Sequence, residues 1–439
     1  MPPRRCALLL PLAWLLSIVA GCDHPAACGP SGECPSPLTC VEGLCRNTLG
    51  VAVGGSDATV NDASCPSDGP LDARAFAAAA PFAAGLAVVG GEPVADSCQT
   101  APPTATGANA RIAACGGFAA LPPLPALAEG PANRVGAMAA EHPGDGSLWL
   151  VGGRSGVDED QPSGEVLRLQ PGATAWTQAT APVSARSHGA LVATSSPKAL
   201  WLFGGDIGPG GTPIATAELR KLAVPSTTWQ LAVAGGELPG ARRNFASTSL
   251  GDRVALFGGA DAGDASTADV HLLHAASLTW KRVSVTGPTP GPRIDAALVG
   301  MGTDQLLLFG GDEEGWGPRN DLWRLDLQLG AWTRLRAGDR DAAGRTDTTL
   351  APVDDVCAPP AALLTPSTTD PEARAGVALI RLAGGDLLLF GGRGRCGPLA
   401  DLWRLDASSA GWARIRAGGG GLCPLRADSC AHLCSGATP

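Results

Sequence analysis

Tyrosine is absent from the 439 residues, and lysine occurs three times, at Lys198, Lys221 and Lys281. Without a phenol, tyrosyl-radical oxidation and phenolate nucleophiles are closed to this chain. A net charge of -9 with so few lysines leaves no basic field to gather phosphates, which argues against nucleic acid as a partner. Nucleophile elbows, phosphate-cradling loops and dinucleotide fingerprints are missing too, and the run Gly418 to Gly421 reads as a linker. The N-terminal apolar run is too short to span a bilayer comfortably.

What is present is glycine, 60 residues, and proline, 38, against a mean hydropathy of +0.11. That balance describes a folded, loop-rich protein with a large core. The opening MPPRRCALLLPLAWLLSIVAGC sets two arginines before its apolar run, the layout of an export signal. It closes on Val19-Ala20-Gly21-Cys22, which resembles the bacterial lipoprotein box. The resemblance implies removal of residues 1–21, lipidation of Cys22 and a short anchored stretch, 22–27. The expected location is the bacterial cell envelope, outside the cytoplasm, with the membrane touched through the lipid alone. Of the 14 cysteines, Cys6 leaves with the leader and Cys22 is modified, so the others can all pair in an oxidising compartment.

Residues 28–46 hold Cys28, Cys34, Cys40 and Cys45 among Gly and Pro with few core formers, the composition of a disulfide module loosely similar to EGF-like modules. A linker rich in Gly, Ser and Asp follows over 47–73. Further disulfide candidates are Cys98, Cys115, Cys357, Cys396, Cys423, Cys430 and Cys434; the last three lie in a tail, 422–439.

From residue 74 a repeat governs the chain. Six apolar runs end in a Gly pair, closing at Gly91, Gly153, Gly205, Gly259, Gly311 and Gly392. An arginine stands 16 to 18 residues before each first Gly: Arg74, Arg134, Arg186, Arg242, Arg293 and Arg374. In five units a tryptophan follows that Gly by 21 to 25 residues: Trp176, Trp229, Trp280, Trp332 and Trp412. Runs such as Leu306 to Phe309 are apolar on both faces and predict a strand covered on both sides. Four short strands per roughly 50 residues is the pattern of a propeller blade.

These marks resemble the kelch motif, which implies an all-β, six-bladed kelch-type β-propeller over 74–421, with blades near 74–133, 134–185, 186–241, 242–292, 293–373 and 374–421. Kelch units usually carry a third-strand tyrosine, where this chain has Leu or Trp ("DLWRLD"), and the first unit lacks its Trp. The first-Gly intervals are 62, 52, 54, 52 and 81 residues, so the last holds an insertion near 339–370, with Cys357 inside it.

Related propellers include copper radical oxidases and sialidases, and both resemblances imply a functional tyrosine that is missing here. His271 and His274 stand three apart on a predicted strand and face opposite ways, so no metal site is expected. No cofactor and no catalytic residue is assigned. Acids follow several Gly pairs, and acids and repeat arginines could converge on a channel mouth; the plainer alternative is a solvated acidic rim with structural arginines. Asp312, Glu313, Glu314, Trp316, Arg393 and Arg395 are the binding-face candidates. The expected function is a lipid-anchored scaffold that binds a protein or a glycan through its loops without catalysis, the alternative being a sugar epimerase or mutarotase.

Overall fold

A computed structural model describes residues 39–41, 44–46 and 74–417, the last stretch without 94–108, 115, 127–133, 156–160, 210–211, 315–316, 339–368, 383 and 395–396. The chain forms two compact units, Met1–Val60 and Asn61–Pro439. In the first, Thr39–Val41 and Leu44–Arg46 make an antiparallel hairpin with Cys40 opposite Cys45. The other cysteine candidates, Cys22, Cys28, Cys34, Cys98, Cys115, Cys357, Cys396, Cys423, Cys430 and Cys434, lie outside the described residues.

Among the described residues of the second unit there is no helix. Six antiparallel sheets follow one another, each built in sequence order from one stretch of chain. Their first strands are Ala78–Phe82, Met138–Glu141, Ala190–Ser195, Ala246–Ser249, Ala297–Met301 and Ala378–Arg381. Each of these lies beside the next, and Ala378–Arg381 returns to Ala78–Phe82. This cyclic arrangement of sheets is that of a β-propeller. The fourth sheet gains a fifth, parallel strand, Gly235–Gly236, from the stretch before it.

The two-faced second strands hold the sheets together. In Gln305–Phe309, Leu306 and Leu308 enter a core shared with the fourth sheet, while Leu307 and Phe309 enter one shared with the sixth. Three of these four side chains are fully buried, and burial of such a residue contributes about 1.5–3 kcal/mol. Six cores of this kind alternate with the sheets, the last joining the sixth sheet to the first through Phe390, Leu402, Leu86 and Phe118.

The repeat tryptophans pack backward across these joints. Trp280 meets Phe203, Trp332 meets Phe257 and Trp412 meets Phe309, with ring centroids 5.2–5.7 Å apart. Phe118 occupies the corresponding place in the first sheet. It pairs with Ile112 as Trp332 pairs with Leu325, and it meets Phe390 of the sixth sheet edge to face at 6.1 Å.

The link between arginine and Gly-Gly is a rivet. The second glycine of each pair donates its N–H to the backbone carbonyl of the next repeat's arginine at 2.9–3.0 Å, and Gly392 closes the circle on Arg74. The first glycine has positive φ, and a Cβ there would lie 2.2–2.8 Å from that carbonyl, so no side chain fits. The arginine side chains turn into the protein. Arg74, Arg186, Arg242, Arg293 and Arg374 donate to the carbonyl of their own sheet's first Gly. Arg134, Arg186, Arg242, Arg293 and Arg374 pair with the buried or half-buried carboxylates of Glu165, Glu218, Asp269, Asp321 and Asp401. Of the two alternatives for these arginines, gathering at a channel mouth or a structural role, the contacts are those of the structural role: each side chain is consumed in its own sheet.

The twice-written "DLWRLD" belongs to the same device. Asp321 accepts from Arg293 Nη1 at 2.7 Å and from Trp323 Nε1 at 2.8 Å, and Asp401 does so with Arg374 and Trp403, each at 2.6 Å. Arg334 and Arg414 cover the two indoles.

Candidate functional site at the channel mouth

The six first strands enclose a channel of about 730 Å3. Small residues leave this space, among them Ala79, Ala139, Ala193, Ser247 and Gly300. In every sheet the lining starts at one equivalent position: Ala77, Ala137, Gly189, Phe245, Ala296 and Val377.

The residue before each of these, two places after the repeat arginine, is left-handed in all six repeats: Phe76, Gly136, His188, Asn244, Asp295 and Gly376, with φ between 52° and 66°. Each donates its N–H to the carbonyl of its counterpart in the preceding repeat, and Phe76 closes the ring by donating to Gly376, at 2.7–3.0 Å throughout. Four of the six are not glycine, and they hold a conformation that side chains adopt at a cost. The closed circle of hydrogen bonds imposes it.

The half-buried side chains on this ring stand together at one end of the channel, and we term them the floor, and the ion pairs around them the wall, of a bowl. Phe76 lies over Gly376 and His188 over Gly136, where any Cβ would strike their rings at 2.4 Å. The two rings meet edge to face at 5.9 Å. Opposite them, Asn244 Nδ2 donates to Asp295 Oδ1 at 2.9 Å, and Asn244 Oδ1 accepts from Arg243 Nη1 at 3.0 Å.

Ion pairs line the wall. Arg154 donates to Asp206 Oδ2 and to Ser187 Oγ, each at 2.9 Å. Arg243 pairs with Asp264. Arg393 pairs with Glu92 and lies 5.6 Å from the centre of the Phe76 ring. Desolvation, helped by Arg154 and Arg243, pushes the His188 imidazole down to about 4, so it is neutral at pH 7. Desolvation, helped by Asp312, pushes the Asp295 carboxyl up to about 7 against the pull of Asn244, Arg243 and Arg393.

Of the residues singled out in the sequence, Asp312 is half-buried and pairs in a short ladder with Ile294. Glu313 turns to Arg319 Nε at 3.2 Å and Arg293 Nη2 at 3.7 Å. Glu314 is exposed, Arg393 joins the wall, and Trp316 and Arg395 lie outside the described residues. His271 is packed, 3% exposed, with desolvation pushing it down to about 4, and no group of three metal-ligating residues occurs among the described residues. Sequence reading missed Phe76, His188, Asn244, Asp295, Arg154 and Arg243. Aligning the repeats on their arginines places the first four in one column, which reads Phe, Gly, His, Asn, Asp, Gly two places after the arginine.

Comparison with known proteins gives a consistent picture. Residues 137–358 match the family model described as the KLHDC2/KLHL20/DRC7 Kelch-repeats domain. The chain is 28% identical over 198 residues to the Rab9 effector protein with kelch motifs of Bos taurus, covering 43% of this chain and 51% of that protein. It is 30% identical over 122 residues to Acyl-CoA-binding domain-containing protein 4 of Arabidopsis thaliana, 28% of this chain and 18% of that one. It is 34% identical over 114 residues to the Arabidopsis Serine/threonine-protein phosphatase BSL2, 26% of this chain and 11% of the relative. The chain thus spans at most about half the length of these relatives.

Proposed function

The chain belongs to the Kelch-repeats domain family that it matches over residues 137–358, and from that premise we propose that it is a protein-binding scaffold whose partner seats on the bowl at the channel mouth. The observation that carries this reading is the contrast within one repeat. Arginine, Gly-Gly and the aromatic anchor are constant and consumed by the frame, while the left-handed position at the mouth carries four different side chains and two glycines. A frame that holds unlike groups in one plane suits recognition. That one matched relative is named an effector protein fits a partner-binding role.

In this reading the six sheets are the six blades of the propeller, residues 28–46 are a disulfide module, and the chain is exported and held by lipid at Cys22. The layout of the leader and the cysteine parity motivate the last two. The test is quantitative affinity capture with the wild-type protein, with a variant reversed at the wall (Arg154→Glu with Arg393→Glu), and with one altered at Asp326 (Asp326→Asn), which ends strand Leu322–Asp326 opposite Gln305, at the end of the fifth sheet away from the Gly pair. Partners held by the wild type and the far-end variant but lost by the wall variant support the proposal. Equal capture by all three, or none, defeats it.

A further inference from the structure

The bowl contains one acid whose place in the charge pattern differs from the rest. Asp206, Asp264 and Glu92 each hold a guanidinium. Asp295, on the floor, has only the neutral amide of Asn244 on one oxygen, and among the described residues no cation is within ion-pairing distance of it. A half-buried carboxyl without a cation is costly to ionise, and a cationic ligand would remove that cost.

We propose that the floor of the bowl is a receptor for a lysine side chain of the partner protein, its ammonium bonding the Asp295 carboxylate beside the Phe76 ring. This rests on the partner-binding reading above and specifies its chemistry. A lysine is chosen over an arginine by geometry. One oxygen of Asp295 already accepts from Asn244 Nδ2; an ammonium, a point donor, needs only the other, whereas a guanidinium fork must share the occupied one. Phe76 already bears one cation on its ring, that of Arg393. His188, across the floor, is neutral and does not repel an incoming charge. The wall guanidiniums of Arg154, Arg243 and Arg393 are each engaged by an acid, and Asp312 adds a further carboxyl to the field at Asp295.

The groups that set the charge of Asp295 are thus Asn244, Asp312, Arg243 and Arg393, with neutral His188 on the same ring. An ammonium arriving at pH 6 must displace the carboxyl proton, so binding strengthens as pH rises to 8.

The experiment uses the full chain and Nα-acetyl-lysine methylamide as probe, followed by NMR of the His188 imidazole and by calorimetry. Saturable binding is expected, tightening between pH 6 and pH 8. It should weaken roughly tenfold or more in Asp295→Asn, the scale of one charged hydrogen bond, and be kept in Asp326→Asn. The probe acetylated at Nζ should not bind. Binding that survives Asp295→Asn, binding of the acetylated probe with equal strength, or no binding at pH 8 would overturn the lysine receptor. Retention of the His188 resonance and of the melting temperature in Asp295→Asn separates lost binding from lost fold. Partner capture that depends on the wall residues, alongside a negative lysine titration, would leave the scaffold reading standing and remove this one alone.

Discussion

Phe118 in the first sheet and Phe390 in the sixth meet edge to face, 6.1 Å apart, where the other joints between sheets use a tryptophan or its contacts. Phe118 is 2% exposed and Phe390 1%. Truncating Phe118 to alanine should cost about 3–5 kcal/mol, read as a lowered denaturation midpoint with an unchanged slope. A loss under about 1 kcal/mol would mean that the joint between sixth and first sheets does not need this ring.

Asp321 is 2% exposed and serves Arg293 and Trp323 together. Asp321→Ala strands a guanidinium that is itself 2% exposed, so a loss of about 3–5 kcal/mol is expected. Chemical denaturation at pH 7 measures it. A near-neutral result would show that Glu313, 3.7 Å from Arg293, can replace the lost partner.

Gly310 has φ of 62°, and a Cβ there would lie 2.7 Å from the Arg374 carbonyl; Gly240 has φ of 74° with nothing within 4 Å. Alanine at Gly240 bears only the left-handed penalty, about 1–2 kcal/mol. Alanine at Gly310 must also break the rivet, and should cost at least about 1 kcal/mol more. Equal melting temperatures for the two variants would remove the steric part of this explanation.

Burial acts on Asp295 and His188 in opposite directions. Because the Asp295 carboxyl is raised to about 7 from 3.8, the native state keeps a proton that the unfolded chain has released. Its contribution to stability therefore falls as pH rises from about 4 to 7 and is flat above. His188 and His271, lowered from 6.5 to about 4, refuse protons that the unfolded chain accepts, so their contribution falls as pH drops from about 6.5 to 4. Asp295→Asn should thus gain on the wild type as pH rises from 5 to 8, by roughly 1–2 kcal/mol for a part-exposed carboxyl. Unfolding curves at four pH values decide it; parallel wild-type and variant profiles would contradict the assignment.

The frame was readable in the sequence for a physical reason. Arginine, Gly-Gly and tryptophan recur because each has a backbone or packing task at every joint, and six copies of a task leave six copies of a word. Phe118 escaped because it does the work of tryptophan under another name and at another spacing. The floor of the bowl escaped for the opposite reason: Phe76, His188, Asn244 and Asp295 share a backbone conformation but no chemistry, so no side chain in that column repeats. Arg154 and Arg243 stand beside repeated residues and were overshadowed by them. Asp312, Glu313 and Arg393 were noticed as charges after Gly pairs; which faces inward depends on partners such as Arg319 and Glu92, set by folding and not by adjacency.

Each joint between sheets is made by the same contacts, a glycine N–H on an arginine carbonyl over an apolar core, and among the described residues the joint from the sixth sheet back to the first uses no exchanged strand. The order in which the sheets are synthesised is therefore separable from the order in which they stand. A circular permutant that begins at Arg242, with the sixth and first sheets joined by a short peptide, keeps every rivet and every core, and moves the cut in the chain without moving the bowl.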